Sequence, residues 1–399
     1  MHVFVVTQYY PPERGAAASR WGDYVDILIK HNYKVTVLCE APHYPNNKYY
    51  PGFKNSWLNI EKKSSSLTIL RTKAFASNRK NTLKKLTHYF VFMFSAIVNS
   101  RHVKKYDILI VSAPPLFTGI VGMFIKKITK KDFWLDIRDL WPDSALELNQ
   151  ISKGINYSIG KKIEYYIYKS AKGFIFPVPG FKKYLSNFPK EISDKPMFEL
   201  MNGVSENFLN LSKKSIIKAD RKFTVLYSGN MGYAQDLKTI IECAELLNSY
   251  DIYFRFIGQG VCRNEVEYLS RGLRDKVQFH EPVKREDLIN WIKKSSVCLV
   301  PLKNLDLFKS ALPSKMFEYM ACEKPIIISV KGDASKLVLK SKSGIAIQPE
   351  SASDLSNAIL TYFSNKEKRY NDGQNGLKFV EENLKKESLI LSLMESLKN

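Results

Sequence analysis

The chain has 399 residues, of which 45% are hydrophobic and 13% aromatic, so it is long enough for two domains and too apolar to be disordered. Its five cysteines are scattered without a C-x-x-C pair, which argues against a disulfide framework and is typical of reduced thiols in a cytosolic protein. The formal net charge of +22 indicates a polyanionic partner, either nucleic acid or an anionic membrane surface.

The first half of the chain is predicted to be an α/β domain. A buried strand at 3–7 is followed by a proline-rich loop, a helix with apolar Trp21, Val25 and Leu28, and a second strand at 34–39. This spacing is typical of a βαβ unit in a parallel sheet that is covered on both faces. Further apolar runs predict buried strands at 106–113, 133–139 and 173–179.

The segment 62–105 carries a concentrated positive charge, with eleven Lys or Arg residues and no acidic residue. Within it, residues 86–98 (LTHYFVFMFSAIV) form an aromatic-rich apolar run, which is too apolar for an arm that binds nucleic acid. Basic residues flanking an apolar helix are typical of a helix in the plane of an anionic membrane, where each nearby Lys or Arg contributes about 1 kcal/mol. The alternative is a buried core helix with a solvated basic rim.

Residues 108–125 carry no charge over eighteen positions, close to the roughly 20 that a transmembrane helix needs. Pro114 and Pro115 interrupt this run, so we predict a buried strand, a turn and a short apolar helix instead. The first residues lack the basic start and the long apolar run of a secretory signal. The expected location is the cytoplasm, with peripheral association at the inner face of the cell membrane.

The alternation of strands and helices restarts in the second half of the chain. Apolar runs predict its strands at 223–229, 252–258, 277–282, 297–302 and 325–329. The fold class is therefore α/β, with two doubly wound, Rossmann-like domains at 1–200 and 201–365. The helical segment 366–399 is expected to pack back on the first domain, and the Lys- and Ser-rich stretch 210–222 is the predicted linker.

Ligands of open α/β sheets bind outside the carboxyl ends of the strands, so two such sheets would face a central cleft with their strand-to-helix loops. Gly15 lies in the first of these loops, at a helix start that favours an anion. Gly229 and Gly232 follow the first strand of the second half, where the backbone can approach a ligand closely. A simple turn is the alternative reading of each loop.

The sequence contains none of the common cofactor or metal motifs. It has no G-x-x-x-x-G-K-[ST] phosphate loop, no H-E-x-x-H and no clustered metal ligands. The stretch GQGVCR begins like a dinucleotide fingerprint, but Arg263 occupies the position of its third glycine. We therefore expect neither a metal ion nor a nicotinamide cofactor.

The sequence SALPSKMFEYMA forms a third loop of interest. Leu312, Pro313 and Ser314 lead into a predicted helix whose first N–H groups can bind phosphate oxygens. Lys315 adds a positive charge, and Glu318, one turn later, can accept two hydrogen bonds from a vicinal diol. A diol joined to a diphosphate is the signature of a nucleotide, whereas a surface ion pair between Lys315 and Glu318 is the structural alternative.

Over nearly its whole length the chain resembles the retaining nucleotide-sugar glycosyltransferases of family four, which have the GT-B architecture. More closely it resembles the bacterial O-antigen and capsule transferases of the WbuB type, which are proposed to move N-acetyl-fucosamine. The segments that carry this resemblance are YYPPERGAAASR (9–20), APHYP (41–45), DIRDLWPDS (136–144), YSGNMGYAQDL (227–237) and ALPSKMFEYMA (311–321).

The resemblance assigns roles to residues of the second half. Glu318 matches the second glutamate of the family's E-x7-E motif, which holds the ribose hydroxyls, whereas Ser310 stands in place of the first. Asn230 and Gln235 stand near positions where many family members carry an Arg and a Lys on the pyrophosphate. Lys315 and the helix starts would have to provide that positive charge here.

The resemblance also assigns roles in the first half. Arg138 aligns with the family's active-site histidine and is followed by Asp139, so both are predicted to be catalytic together with Lys315. A buried structural cluster at a strand end is the alternative for Arg138 and Asp139. Arg14 and Arg20 are predicted to serve the acceptor, and Arg14 also the leaving group.

The implied function is transfer of a sugar, such as an N-acetylated deoxyhexosamine, from a UDP-sugar to a polyprenyl-diphosphate-linked acceptor. The anomeric configuration would be retained without a bound metal, and the product would serve O-antigen or capsule assembly. The expected partners are the UDP-sugar, the lipid-linked saccharide and an anionic membrane surface bound through 62–105. The main chemical requirement is a stabilised diphosphate leaving group.

Three other functions remain open. A nucleotide-sugar 2-epimerase would share the architecture and the nucleotide site but act on a soluble sugar. A nucleic-acid-binding protein would account for the charge, with an affinity that falls as salt rises, but it leaves Glu318 unexplained and nucleic acid is not expected. A non-catalytic protein of the same fold is compatible with Ser310, Asn230 and Gln235.

Overall fold

The structure is a computed structural model, and it forms two compact units. The N-terminal unit contains residues 1–201 and 387–398, and the C-terminal unit contains residues 202–386. The residues that the structure describes are 1–13, 15–44, 47–76, 82–103, 105–147, 151–215 and 222–398.

In the described residues, the N-terminal unit is built on an eight-stranded sheet. Its strands are β1 (His2–Val6), β2 (Lys34–Glu40), β3 (Leu58–Lys62), β4 (Leu67–Thr72), β5 (Ile108–Ala113), β6 (Trp134–Ile137), β7 (Gly173–Phe176) and β8 (Met197–Glu199). They lie in the order β3-β4-β2-β1-β5-β6-β7-β8, and all neighbours are parallel except β3 and β4. β5 is buried at every position because helices cover both faces of a parallel sheet.

The helices of this unit connect successive strands. They are α1 (Ala16–Lys30), α2 (Thr82–Ser100), α3 (Phe117–Thr129), α4 (Asp143–Glu147), α5 (Ile155–Ser170), α6 (Gly180–Leu185) and α7 (Lys190–Ser193). Trp21, Val25 and Leu28 of α1 are buried in the core with Val3 and Val5 of β1, as the apolar spacing predicts.

The C-terminal unit repeats this design with a six-stranded, wholly parallel sheet among its described residues. In chain order its elements are α8 (Glu206–Lys214), β9 (Phe223–Ser228), α9 (Lys238–Leu246), β10 (Ile252–Ile257), α10 (Arg263–Leu269), β11 (Val277–His280), α11 (Arg285–Lys294), β12 (Val297–Pro301), α12 (Ser314–Ala321), β13 (Ile326–Ser329), α13 (Asp333–Lys340), β14 (Gly344–Ala346), α14 (Ala352–Ser364) and α15 (Lys366–Asn383). Two short 3-10 turns, Ser270–Leu273 and Asp306–Ser310, precede β11 and α12. The strand order is β11-β10-β9-β12-β13-β14.

The carboxyl-terminal helices are divided between the two units. α15 belongs to the C-terminal unit, whereas residues 387–398 of α16 (Lys386–Lys398) belong to the N-terminal unit. α16 buries Ile390, Leu393 and Met394 in the core of that unit. The predicted segment 366–399 therefore consists of two helices with different packing partners.

The predicted linker at 210–222 is wrong in its first part. Residues 210–214 belong to α8, and the division between the two units precedes that helix. Phe208 of α8 is buried, so packing against the C-terminal unit outweighs the polar composition that suggested a linker. Residues 216–221 lie outside the described part of the chain.

The apolar stretch 108–125 is a strand, a turn and the start of a helix, as predicted, because β5 ends at Ala113 and α3 begins at Phe117. None of the helices in the described ranges is long and apolar enough to cross a membrane.

α2 has two apolar faces. Phe92 and Ala96 are buried in the N-terminal unit, whereas Phe90 and Phe94 are 47% and 61% exposed. The helix is thus anchored in the fold through one side and presents aromatic rings on another. Both predicted readings of 86–98, core helix and apolar surface helix, describe part of it.

Candidate active site

The start of α12 brings Lys315 against the loop that follows β9. The Lys315 Nζ atom lies 4.0 Å from the centre of the Tyr227 ring, a cation–π distance. Gly229 has φ +127°, and a Cβ atom added there would lie only 3.0 Å from Lys315 Nζ. Glycine is therefore needed at 229 both for the backbone conformation and for the approach of the ammonium group.

Desolvation disfavours the charged form of the Lys315 side chain. Desolvation lowers the pKa of Lys315 to about 7, and only the more distant Glu318 carboxylate acts in the opposite direction. A partly buried ammonium group beside an aromatic ring is stabilised by an anion that binds next to it. The arrangement suits a diphosphate at the first turn of α12, where backbone N–H groups also point outward.

Glu318 pairs with Arg285 rather than forming the surface ion pair with Lys315 that we considered. The Glu318 Oε1 atom lies 3.4 Å from Arg285 Nη2, and the Arg285 guanidinium stacks 5.0 Å from the Phe208 ring. Burial raises the pKa of Glu318, and Arg285 offsets part of that rise. The carboxylate is thereby held in place while it remains partly accessible, with 27% of its side chain exposed.

The other predicted donor-binding residues lie around this centre. Pro313 is the N-cap residue of α12, the exposed Ser314 is its first residue, and Leu312 is buried. Gln235 Oε1 accepts a hydrogen bond of 3.0 Å from the Gly232 N–H, so this side chain closes the turn. The Asn230 carbonyl accepts a hydrogen bond from the Tyr227 hydroxyl.

In the N-terminal unit, the predicted residues gather around Asp136, which ends up fully buried in β6. Arg20 Nη2 lies 3.1 Å from Asp136 Oδ1, and Asp136 Oδ2 accepts hydrogen bonds from Trp21 Nε1 at 3.0 Å and from Ser112 Oγ at 2.7 Å. Arg20 is only 4% exposed and also donates to the Leu200 carbonyl. The predicted acceptor role of Arg20 does not fit this burial, because its guanidinium is engaged in holding Asp136.

Arg138 lies at the edge of the same cluster. Its Nε atom is 3.8 Å from Asp136 Oδ2, and 11% of its side chain is exposed. Burial lowers the pKa of Arg138 to about 10, while Asp136 and the half-buried Asp139 raise it. Arg138 therefore keeps its charge at neutral pH next to a carboxylate that is already paired.

Gly15 precedes α1 with φ +150°, and a Cβ atom there would lie 3.1 Å from the Tyr44 ring. Arg14 lies outside the described residues. The sequence did not point to Arg285, Tyr227 or Asp136 as members of a site. Asp136 lies in the segment 136–144 that carries the resemblance, but no role was assigned to it, and nothing local marks Arg285.

Comparisons with known proteins point to glycosyltransferases. Residues 210–379, which include Tyr227, Arg285, Lys315 and Glu318, match the family described as "Glycosyl transferases group 1". A protein of Escherichia coli K12, assigned as the colanic acid biosynthesis glycosyl transferase WcaI, is 23% identical over 345 residues, which cover 83% of this chain and 84% of WcaI.

Solved structures share the whole architecture. Sucrose-phosphate synthase from Thermosynechococcus elongatus superposes with a TM-score of 0.76 at 17% identity, covering 100% of this chain and 98% of that chain. HepE from Anabaena, whose structure was determined in complex with UDP, has a TM-score of 0.66 at 14% identity, covering 100% of this chain and 99% of that chain.

The fold is therefore that of the GT-B glycosyltransferases, which confirms the predicted fold class. Within that class, residues 210–379 match group 1, and the WcaI relative is similar over most of the chain. The closer resemblance to transferases of the WbuB type stays a prediction.

Proposed function

We propose that this protein transfers a sugar from a UDP-sugar to a polyprenyl-diphosphate-linked acceptor, with retention at the anomeric carbon, during assembly of a surface polysaccharide. The observation that carries the proposal is that a partly buried ammonium group, Lys315, and a carboxylate positioned by Arg285, Glu318, lie one turn apart at the start of α12. One group suits a diphosphate and the other a ribose diol.

Each group has a distinct task on the donor. Lys315 and the N–H groups at the start of α12 bind the diphosphate, and they stabilise the negative charge that develops on the leaving group. Glu318 accepts hydrogen bonds from the ribose hydroxyls, while Arg285 favours its ionised form and orients it. The UDP complex of HepE supports a uridine diphosphate as the carrier.

Arg138 and Asp139 are proposed to act at the sugar and the acceptor. Asp136 Oδ2 lies 3.8 Å from Arg138 Nε and helps to fix the guanidinium in place. The guanidinium is therefore already positioned to bind an anionic or hydroxyl group. The resemblance requires neither a covalent nucleophile nor a metal ion for this step.

The lipid-linked acceptor is proposed to be reached at the inner face of the cell membrane. α2 presents Phe90 and Phe94 to the outside within the basic segment 62–105, a combination that suits the surface of an anionic bilayer. The name of the E. coli relative, which refers to colanic acid, supports a role in polysaccharide assembly. An N-acetylated deoxyhexosamine such as N-acetyl-fucosamine is the proposed sugar.

The proposal is tested by incubating the protein with a panel of UDP-sugars and a polyprenyl-diphosphate saccharide in anionic vesicles. We expect an acceptor extended by one sugar, and a loss of more than about tenfold in rate for Glu318→Gln, because each hydrogen bond to a charged group contributes about 1.5–3 kcal/mol. Glu286→Gln, at an exposed position of α11, should leave the rate unchanged. Conversion of a UDP-sugar to its epimer without use of the acceptor would contradict the proposal.

A further inference from the structure

A cluster of buried polar side chains lies in the N-terminal unit at the carboxyl ends of β1 and β2. Gln8 follows β1, Glu40 ends β2, His43 lies in the next loop and His88 comes from α2. All four are 0% exposed. They take no part in the proposed reaction, and their chemistry therefore needs another explanation.

The spacing of the ligand atoms fits a metal ion. Glu40 Oε1 lies 3.5 Å from His88 Nε2. One ligand atom from each of Glu40, His43 and His88 lies within 4.8 Å of the other two. Tetrahedral zinc with bonds of about 2.0–2.1 Å places neighbouring ligand atoms roughly 3.4 Å apart, so Glu40 and His88 already have the required spacing and His43 would move closer to them.

His88 is oriented for coordination by a backbone group. Its Nδ1 atom lies 2.9 Å from the Phe75 carbonyl oxygen, which can only accept, so Nδ1 carries a proton and Nε2 keeps a free lone pair, which accepts from the Gln8 amide at 2.6 Å. A ring N–H held by a carbonyl is the usual outer support of a metal-binding histidine. His43 is fixed in a similar way, because its Nδ1 atom lies 3.0 Å from the Ala41 carbonyl and carries the proton, which leaves Nε2 as the ligand atom of this ring.

The Gln8 amide provides a second, independent sign. Its Nε2 atom lies 2.9 Å from Glu40 Oε2 and 2.6 Å from His88 Nε2. The amide NH2 group therefore occupies the position between these two electron-pair donors where a cation would bind. The Oε1 atom of the same amide is buried, and it has no hydrogen-bond partner within the described ranges. Rotation of the amide would bring this oxygen to the focus as a fourth ligand.

The charge of the surroundings also favours a cation. A second buried carboxylate, Glu13, lies 3.9 Å from His43 Nδ1. Glu13 accepts hydrogen bonds from the backbone N–H groups of Tyr10, His43 and Tyr44. Two carboxylates removed from water beside two imidazoles are stabilised by a positive ion.

We propose that Glu40, His43, His88 and Gln8 form a structural zinc site. Two nitrogen and two oxygen donors in a closed, buried site suit Zn²⁺, whereas Mg²⁺ and Ca²⁺ prefer six or more oxygen ligands. The ion ties α2 and the loop after β2 to the end of β1. Tyr9, whose hydroxyl lies 3.2 Å from His88 Nε2, is held by the same cluster.

The site is tested by binding measurements that do not depend on transferase activity. Chelator-treated protein is loaded with Zn²⁺, desalted and analysed for metal, and Co²⁺ is added separately to record visible absorption. We expect one zinc per chain and the intense bands of four-coordinate Co²⁺. Affinity should fall at least about tenfold in Glu40→Gln and His88→Gln, whereas His102→Ala, at an exposed histidine of the same unit, should bind like the wild type.

The zinc content and the Co²⁺ spectrum of the wild-type protein test the proposal even if a variant fails to fold. A wild-type protein without stoichiometric zinc or Co²⁺ bands would overturn the proposal and leave the cluster as a hydrogen-bond network. Zinc retained equally by a folded Glu40→Gln variant would overturn it too, since the metal would then lie elsewhere.

Discussion

At Lys315, desolvation favours the neutral amine, whereas the proposed binding of a diphosphate needs the charged ammonium form. Its pKa of about 7 means that much of the free protein lacks the charge at physiological pH. A bound diphosphate would restore it, because an opposite charge nearby favours the ammonium form. Binding of the nucleotide and uptake of a proton should therefore be linked.

The linkage predicts the pH dependence of UDP binding. Only the protonated Lys315 binds the diphosphate well, so affinity should be highest below pH 7 and weaken by up to about tenfold for each pH unit above it. Calorimetry in buffers of different ionisation enthalpy should show proton uptake near pH 7. Lys315→Arg, which keeps its charge, should flatten this profile. A wild-type affinity that is constant from pH 6.5 to about pH 9 would contradict the assignment of the charge to Lys315.

Asp136 is the residue whose loss should cost most stability. It pairs with Arg20 and accepts two further hydrogen bonds at 0% exposure. Asp136→Asn would leave the Arg20 guanidinium buried without its counter-charge, so the free energy of unfolding should fall by about 3–5 kcal/mol, as measured by denaturant titration.

The matched control is Asp132→Asn. Asp132 also pairs with a cation, Lys126, at 2.8 Å, but 53% of its side chain is exposed. We expect a change below about 1 kcal/mol. Similar losses in the two variants would show that the buried cluster contributes less than its geometry indicates.

The sequence identifies residues of the site when they are close together in the chain. Lys315 and Glu318 could be predicted because they lie on one helix start. Their partners could not, since Arg285 is 33 residues from Glu318 and Arg20 is 116 residues from Asp136. Which distant side chain neutralises a buried charge depends on packing, and local spacing carries no information about it.

At the scale of elements, α2 links the fold to the proposed membrane contact. Its exposed Phe90 and Phe94 are on the helix that also buries Phe92. Replacing both exposed rings with serine, Phe90→Ser with Phe94→Ser, should weaken binding to vesicles of anionic lipid by at least about tenfold, because insertion of apolar area drives such binding. Vesicle flotation measures this change.

The control for α2 is a pair of equally exposed apolar residues elsewhere. Leu246 and Tyr268 of the C-terminal unit are 59% and 62% exposed, and their replacement with serine should leave vesicle binding unchanged. The thermal stability of both double variants should also stay close to that of the wild type. Equal binding by all three proteins would contradict the role of α2.

Elements with continuous apolar runs were predictable, and those with mixed composition were not. β5 and β13 are buried throughout, and the continuous apolar runs of such strands can be recognised in the sequence. β3 and β14 have no fully buried position, and both lie at sheet edges, so no apolar run marks them. The end of α8, residues 210–214, resembles a linker in sequence because it is polar and contains two lysines, whereas the buried Phe208 and Leu209 precede it.

At the scale of the whole molecule, two α/β units in series could be predicted from the repeated strand–helix alternation. The division of the carboxyl-terminal helices could not, because α15 and α16 both have helical patterns, and only packing decides that α16 buries Ile390 and Met394 in the N-terminal unit. The net charge of +22 remains a property of the whole surface, and it suits either an anionic membrane or nucleic acid.

The central claim is that the start of α12 binds a uridine diphosphate. The most direct test is isothermal calorimetry with UDP, GDP, TDP, CMP and a short DNA duplex, for the wild type and for Glu318→Ala. We expect micromolar binding of UDP, weaker binding of the other nucleotides, and a loss of about tenfold or more in UDP affinity in Glu318→Ala. Binding of DNA alone, with no response to any nucleotide, would contradict the account.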